Sequence, residues 1–140
     1  MADRTRAELT GRQRGFSWLG NASLEEYAVG AWLEANNFKG LYIYQGTFGG
    51  YRRKIRTDFL MLTGRSLCLE VQGDHFHKGA ADVVEDRLRR ILLQEQGALV
   101  VELWGHDIVY YDGYETPTDE SFDEMMTAAV EGIQTSYRNG

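Results

Sequence analysis

With 140 residues, 43% apolar and 26% charged, the chain has the size and balance of one water-soluble globular domain. No apolar run approaches the ~18 residues of a membrane-spanning helix, and the polar stretch 1–14 lacks the apolar segment of a secretory signal. The net charge of −6 argues against a uniformly basic nucleic-acid binder, and one cysteine excludes both a disulfide framework and a cysteine zinc site.

Residues 1–21 are rich in arginine, glycine and polar side chains and read as a flexible basic arm preceding a single domain over 22–140. Ser23 followed by Glu26 reads as a capping box that opens a helix. Its buried stripe is predicted as Leu24, Ala28, Ala31, Trp32 and Ala35, and it stops near Asn36 and Asn37. A short strand is predicted over 41–44 and a flexible loop over 46–50. Paired strands follow over 55–62 and 66–72, turning at Thr63-Gly64-Arg65.

A second helix is predicted over 80–96, with Val83, Val84, Leu88, Ile91 and Leu92 on its apolar side and Gly97 ending it. Residues 98–104 read as a buried strand and 108–111 as a short one. After Pro117 a last amphipathic helix is expected over 119–137. Cys68, within an apolar strand, reads as a small buried hydrophobe, in keeping with a reducing intracellular setting.

Charge is unevenly spread. Residues 102–140 carry −8 and the rest +2. Arg52, Arg53, Lys54 and Arg56 form a dense run, and Arg4, Arg6, Arg12 and Arg14 make the first segment basic. Such clusters contact phosphates even in an acidic protein, although a solvated loop and tail would look the same.

The chemistry concentrates where that run ends. Asp58 opens an apolar segment, and Glu70 and Gln72 stand two apart on the next one, so they share a strand face. If the two segments pair as a hairpin, Asp58 lies close to Glu70. Two carboxylates in one cleft repel unless a cation joins them, and oxygen ligands suit Mg²⁺ or Mn²⁺. That is the equipment of metal-assisted phosphodiester cleavage.

The order of these motifs resembles the PD-(D/E)XK nuclease superfamily, closest to very-short-patch-repair-like small single-domain endonucleases, over about 23–107. Ser23-x-x-Glu26-x-x-Val29-x-x-x-Leu33 resembles the opening helix, and Thr57-Asp58-Phe59 the first metal-binding acid. Glu70-Val71-Gln72-Gly73-Asp74-x-x-His77 resembles the second acid with its turn and histidine. Asp86-x-x-Arg89, Leu93, Gly97 and Val100-Val101-Glu102-Leu103-Trp104-x-x-Asp107 resemble the helix and strand that follow.

The resemblance implies an α/β restriction-endonuclease-like core of order α-β-β-β-α-β, a mixed central sheet flanked by helices, with an extra C-terminal helix. It implies Asp58, Glu70 and the Val71 carbonyl as ligands of Mg²⁺, with Mn²⁺ as a substitute, and Glu26 as a ligand directly or through water. Gln72 stands where the family usually has lysine. It can orient a water but cannot act as a base near neutral pH. His77, or His75, would contact the scissile phosphate. Arg52, Arg53, Lys54, Arg56, Lys78 and Arg87 would hold the nucleic-acid backbone. The implied substrate is DNA, with RNA left open, and cutting both strands with one site per chain would favour a homodimer.

The competing reading is a catalytically inactive nuclease-fold module that binds nucleic acid or serves in assembly. Gln72 and the acidic C-terminal third favour it, while the acids Glu26, Asp58 and Glu70 oppose it. A small-molecule enzyme has little support, because Gly46 to Gly50 lacks the Lys-Ser/Thr of a phosphate loop.

Overall fold

The computed structural model describes residues 22–48, 55–64, 66–72 and 80–135. The chain begins with helix α1 (Leu24–Ala35), then runs through β1 (Tyr42–Tyr44), β2 (Thr47–Phe48), β3 (Ile55–Arg56), β4 (Phe59–Leu62) and β5 (Ser66–Gln72). Helix α2 (Ala80–Glu95), strand β6 (Leu99–Trp104), a 3-10 turn (Gly105–Asp107) and helix α3 (Asp119–Ala129) follow. No helix among the described residues is long and apolar enough to cross a membrane.

The central sheet has the order β1-β4-β5-β6. β1 and β5 each pair with β4 antiparallel, and β6 pairs with β5 in parallel through the α2 crossover, so the sheet is mixed. Phe59, Met61, Leu67, Leu69, Val101 and Leu103 pack with Ala28, Val29 and Leu33 of α1 and Phe122, Met125 and Met126 of α3. Cys68, with Leu60 and Val100, packs toward Leu93 and Leu92 of α2. Alternate residues of one strand therefore serve two faces, α1 and α3 covering one and α2 the other. Strand β5 is buried almost throughout, as a central strand covered on both sides must be.

The β1–β4 and β2–β3 pairings continue one register, Tyr44 facing Phe59 and Thr47 facing Arg56. Together they form one long hairpin, interrupted at Gln45-Gly46 on one arm and Thr57-Asp58 on the other. The interruption stays tied. Gln45 N–H donates to the Asp58 carbonyl at 2.7 Å and Thr57 N–H to the Gly46 carbonyl at 2.8 Å. Gln45 adopts φ 56°, a left-handed conformation that costs energy in a residue with a Cβ. The run expected as one strand over 55–62 is thus two strands broken at Asp58, and the expected loop over 46–50 contains β2.

Both ends of α1 agree with the sequence. Ser23 Oγ accepts from Glu26 N–H at 3.1 Å and Glu26 Oε1 accepts from Ser23 N–H at 2.9 Å, a reciprocal cap. Its buried side differs from the expected stripe. Tyr27, Ala28, Val29, Gly30 and Leu33 are buried, whereas Ala35 is exposed and Trp32 is half-buried. The indole of Trp32 instead donates to Asp123 Oδ1 of α3 at 2.9 Å.

On α2 the expected apolar side is also corrected. Val84, Leu88 and Ile91 are exposed at 65%, 52% and 42%, and Leu93 is the buried anchor. Gly97, at φ 92°, ends this helix as expected. Residues 108–111 form no strand, and α3 ends at Ala129 rather than near 137.

At the outer edge of β6, the Gln134 side chain bonds both backbone groups of Glu102. Gln134 Oε1 accepts from Glu102 N–H at 2.7 Å, and Gln134 Nε2 donates to the Glu102 carbonyl at 2.7 Å. The Glu102 side chain pairs with Arg90 of α2.

Candidate active site

Asp58 sits at the hairpin break because the chain there leaves the ladder, and Glu70 lies directly across from it on the central strand. The two are held by a reciprocal set of bonds. Val71 N–H donates to Asp58 Oδ2 at 2.8 Å, and Asp58 N–H donates to Glu70 Oε2 at 3.0 Å. The Thr57 hydroxyl donates to the same Glu70 oxygen. From the α2 side, Arg89 Nη2 stands 3.1 Å from Glu70 Oε1. Thr57 and Glu70 are buried at 1% and 2% exposure, so these charge-assisted bonds operate away from bulk water.

The electrostatics follow from that crowding. Burial first, then the Glu70 carboxylate, pushes the Asp58 carboxyl up to about 7. Glu26 adds to the rise, while the Val71 amide and the Arg89 guanidinium oppose it. Near neutral pH the Asp58 carboxyl is therefore poised between its protonated and ionised forms. Cys68, just below Glu70 on the same strand face, is pushed up to about 11 by burial and is an inert thiol.

Glu26 approaches from the end of α1. Its Oε1 caps the helix and also accepts from the Tyr44 hydroxyl at 3.3 Å. Burial, then the Glu26 charge, pushes that hydroxyl up to about 12, so it remains a donor at neutral pH. Gln45 Nε2 donates to the Tyr44 oxygen at 3.2 Å, and Arg56 Nη1 donates to Gln45 Oε1 at 2.6 Å. Arg56, expected as a backbone-binding residue, thus anchors at the break beside Asp58.

Gln72 is buried at 6% exposure at the end of β5, level with Trp104 of β6. Beyond Trp104, His106 stacks on Tyr114 at 4.2 Å between ring centroids, with an interplanar angle of 12°. Gly105 passes so close to Tyr111 and the Gln72 carbonyl that a Cβ there would overlap the Tyr111 hydroxyl and lie 3.1 Å from that carbonyl.

The structure therefore brings Asp58, Glu70, the Val71 backbone and Gln72 to one end of the sheet, with Glu26 beside them. Arg87 is exposed on α2. Arg52, Arg53, Lys54, His75, His77 and Lys78, like the basic segment 1–21, lie outside the described residues. Thr57, Arg89, Tyr44 and Gln45 complete the site and received no role from the sequence. Thr57 adjoins Asp58 in the sequence, but its partner depends on the hairpin register. Arg89 requires knowing which side of α2 meets the sheet.

Among the described residues, no three His, Cys, Asp or Glu side chains are grouped closely enough to hold a metal ion on their own. The donors present still suit a hard cation. Mg²⁺ keeps several waters and needs only one or two carboxylates, which Asp58 and Glu70 would supply. No protein-family model, curated protein or solved structure matches the chain.

Proposed function

We propose that this protein is a metal-dependent endonuclease of the PD-(D/E)XK kind, hydrolysing phosphodiester bonds of DNA. The observation that carries the reading is the interlocked pair Asp58–Glu70 at the break of the hairpin, with Asp58 raised to about 7 by burial and by its neighbour's charge. The helix–strand–hairpin–helix–strand order and the sheet order β1-β4-β5-β6 support it.

Asp58, Glu70 and the Val71 carbonyl would hold the cation, with Glu26 as a ligand directly or through water. A bound divalent cation would supply Lewis-acid polarisation of a phosphoryl oxygen and a more acidic water. Gln72 orients that water through its amide, since it can neither take up a proton nor carry charge near pH 7. Thr57 and the Asp58 amide fix the Glu70 carboxylate against rotation. His77 and the run Arg52, Arg53 and Lys54 are assigned to phosphate, with Lys78 and Arg87 beside them, while Arg56 holds Gln45 at the hairpin break.

A second reading has its own observation. Both Glu70 oxygens already have partners within the protein, so the acid pair can stand as a structural clasp in a non-catalytic nucleic-acid-binding module. Incubation with supercoiled, linear, branched and single-stranded DNA, with Mg²⁺, Mn²⁺ or EDTA, separates the two. The endonuclease reading expects cleavage with metal, none with EDTA, and none from Asp58→Ala or Glu70→Ala. DNA binding without cleavage under every condition would favour the module.

A further inference from the structure

The geometry points to Arg89 as a resident counter-ion in the cation's place: its guanidinium holds the Glu70 oxygen that a divalent metal would take, and gives it up when the metal binds. This rests on the cleft being a metal site. Glu70 Oε2 accepts from the Thr57 hydroxyl and the Asp58 amide, both fixed by the hairpin. Oε1 faces Arg89 Nη2 at 3.1 Å, and this is the oxygen through which Glu70 can reach a cation while keeping its hairpin bonds.

The two partners are unequal in freedom. The Arg89 side chain is 38% exposed and the Glu70 side chain 3%, so of the two partners the arginine is the one with solvent to move into. Its long stem gives the guanidinium reach, and its planar fork matches phosphate as well as carboxylate. Arg89 therefore offsets one of the two carboxylate charges without metal. With metal bound, its guanidinium would turn to a phosphodiester oxygen.

The test is Mn²⁺ binding by calorimetry at pH 8, above the titration of Asp58, on wild type, Arg89→Met, Arg89→Lys, Asp58→Asn and Glu70→Gln, each checked for folding by circular dichroism. Arg89→Gln replaces the methionine variant if that one does not fold. Removing the competing cation should tighten Mn²⁺ binding by about three- to fivefold, the scale of a half-exposed ion pair. Arg89→Lys should stay near wild type, and Asp58→Asn should abolish binding. Equal or weaker binding by Arg89→Met, with Asp58→Asn still inactive in binding, overturns the role of Arg89 and leaves the metal site standing. Wild-type binding that survives unchanged in Asp58→Asn and Glu70→Gln overturns the site itself, and the role of Arg89 with it.

Discussion

Asp58 and Glu70 hold each other through the backbone: the Asp58 amide donates to Glu70 Oε2 at 3.0 Å, and the amide following Glu70 donates to Asp58 Oδ2 at 2.8 Å. Neither carboxylate can turn away from the other without breaking a bond. The hairpin thus enforces a proximity that charge alone would oppose, and several outcomes depend on it.

Asp58→Asn should stabilise the metal-free protein at pH 8 and do so much less at pH 5. The Asp58 carboxyl titrates near 7 in the fold and near 3.9 in an unfolded chain. Between those values the folded state holds a proton that the unfolded state releases, so stability falls as pH rises from about 4 to 7. Asparagine keeps an acceptor for Val71 N–H and removes the charge. The gain at pH 8 should exceed that at pH 5 by about 2–3 kcal/mol, read as a larger rise in Tm at pH 8. Thermal melts at both pH values check it, and a pH-independent difference would contradict the assigned repulsion.

Thr57→Val keeps the shape of the side chain and removes a buried donor to Glu70. The carboxylate then stays desolvated with one bond fewer, at a cost of about 1–3 kcal/mol. Urea unfolding measures the loss. A change below about 0.5 kcal/mol would place the Thr57 hydroxyl outside the support of Glu70.

Gln72→Ala should slow cleavage while leaving affinity for DNA nearly unchanged, because the amide is assigned to water rather than to the nucleic-acid backbone. Binding and single-turnover cleavage, measured side by side, separate the two effects. A variant that mainly loses DNA binding would assign Gln72 to the substrate.

Gly105→Ala should destabilise by about 1–3 kcal/mol, the usual cost of forcing atoms into a packed site. The new Cβ meets Tyr111 and presses on the Gln72 carbonyl, so the end of β5 must move. Cleavage should fall further than stability predicts, which paired melting and activity measurements would reveal.

How far the sequence foretold this arrangement depended on whether the determining contact was local. The Ser23–Glu26 cap, Gly97 as a helix stop and the turn between β4 and β5 rest on neighbours within a few residues, and all were legible. So was the approach of Asp58 to Glu70, since one turn fixes the register. Helix α1 was misjudged because it is enclosed by both the sheet and α3, so Tyr27, Val29, Gly30 and Leu33 are buried around much of its circumference. Val84 and Leu88 misled in the opposite direction, forming an apolar stripe on the solvent side of α2. Strand β2 hid in a glycine-rich stretch because its pairing continues a register set ten or more residues away. Arg89 could not be assigned from spacing, because its meeting with Glu70 depends on how α2 lies across the sheet.

The Gln134–Glu102 contact bears on how the molecule behaves among copies of itself. A sheet edge with unpaired N–H and C=O groups is a template for strand addition by a neighbouring chain. The primary amide of Gln134 supplies one donor and one acceptor in the spacing of a peptide group, and so imitates a single residue of an adjoining strand. The middle of β6 is thereby spoken for, and at the opposite edge β1 is only three residues long. An incoming β-strand would have to evict that side chain before it could pair with the middle of β6, which hinders edge-to-edge self-association there.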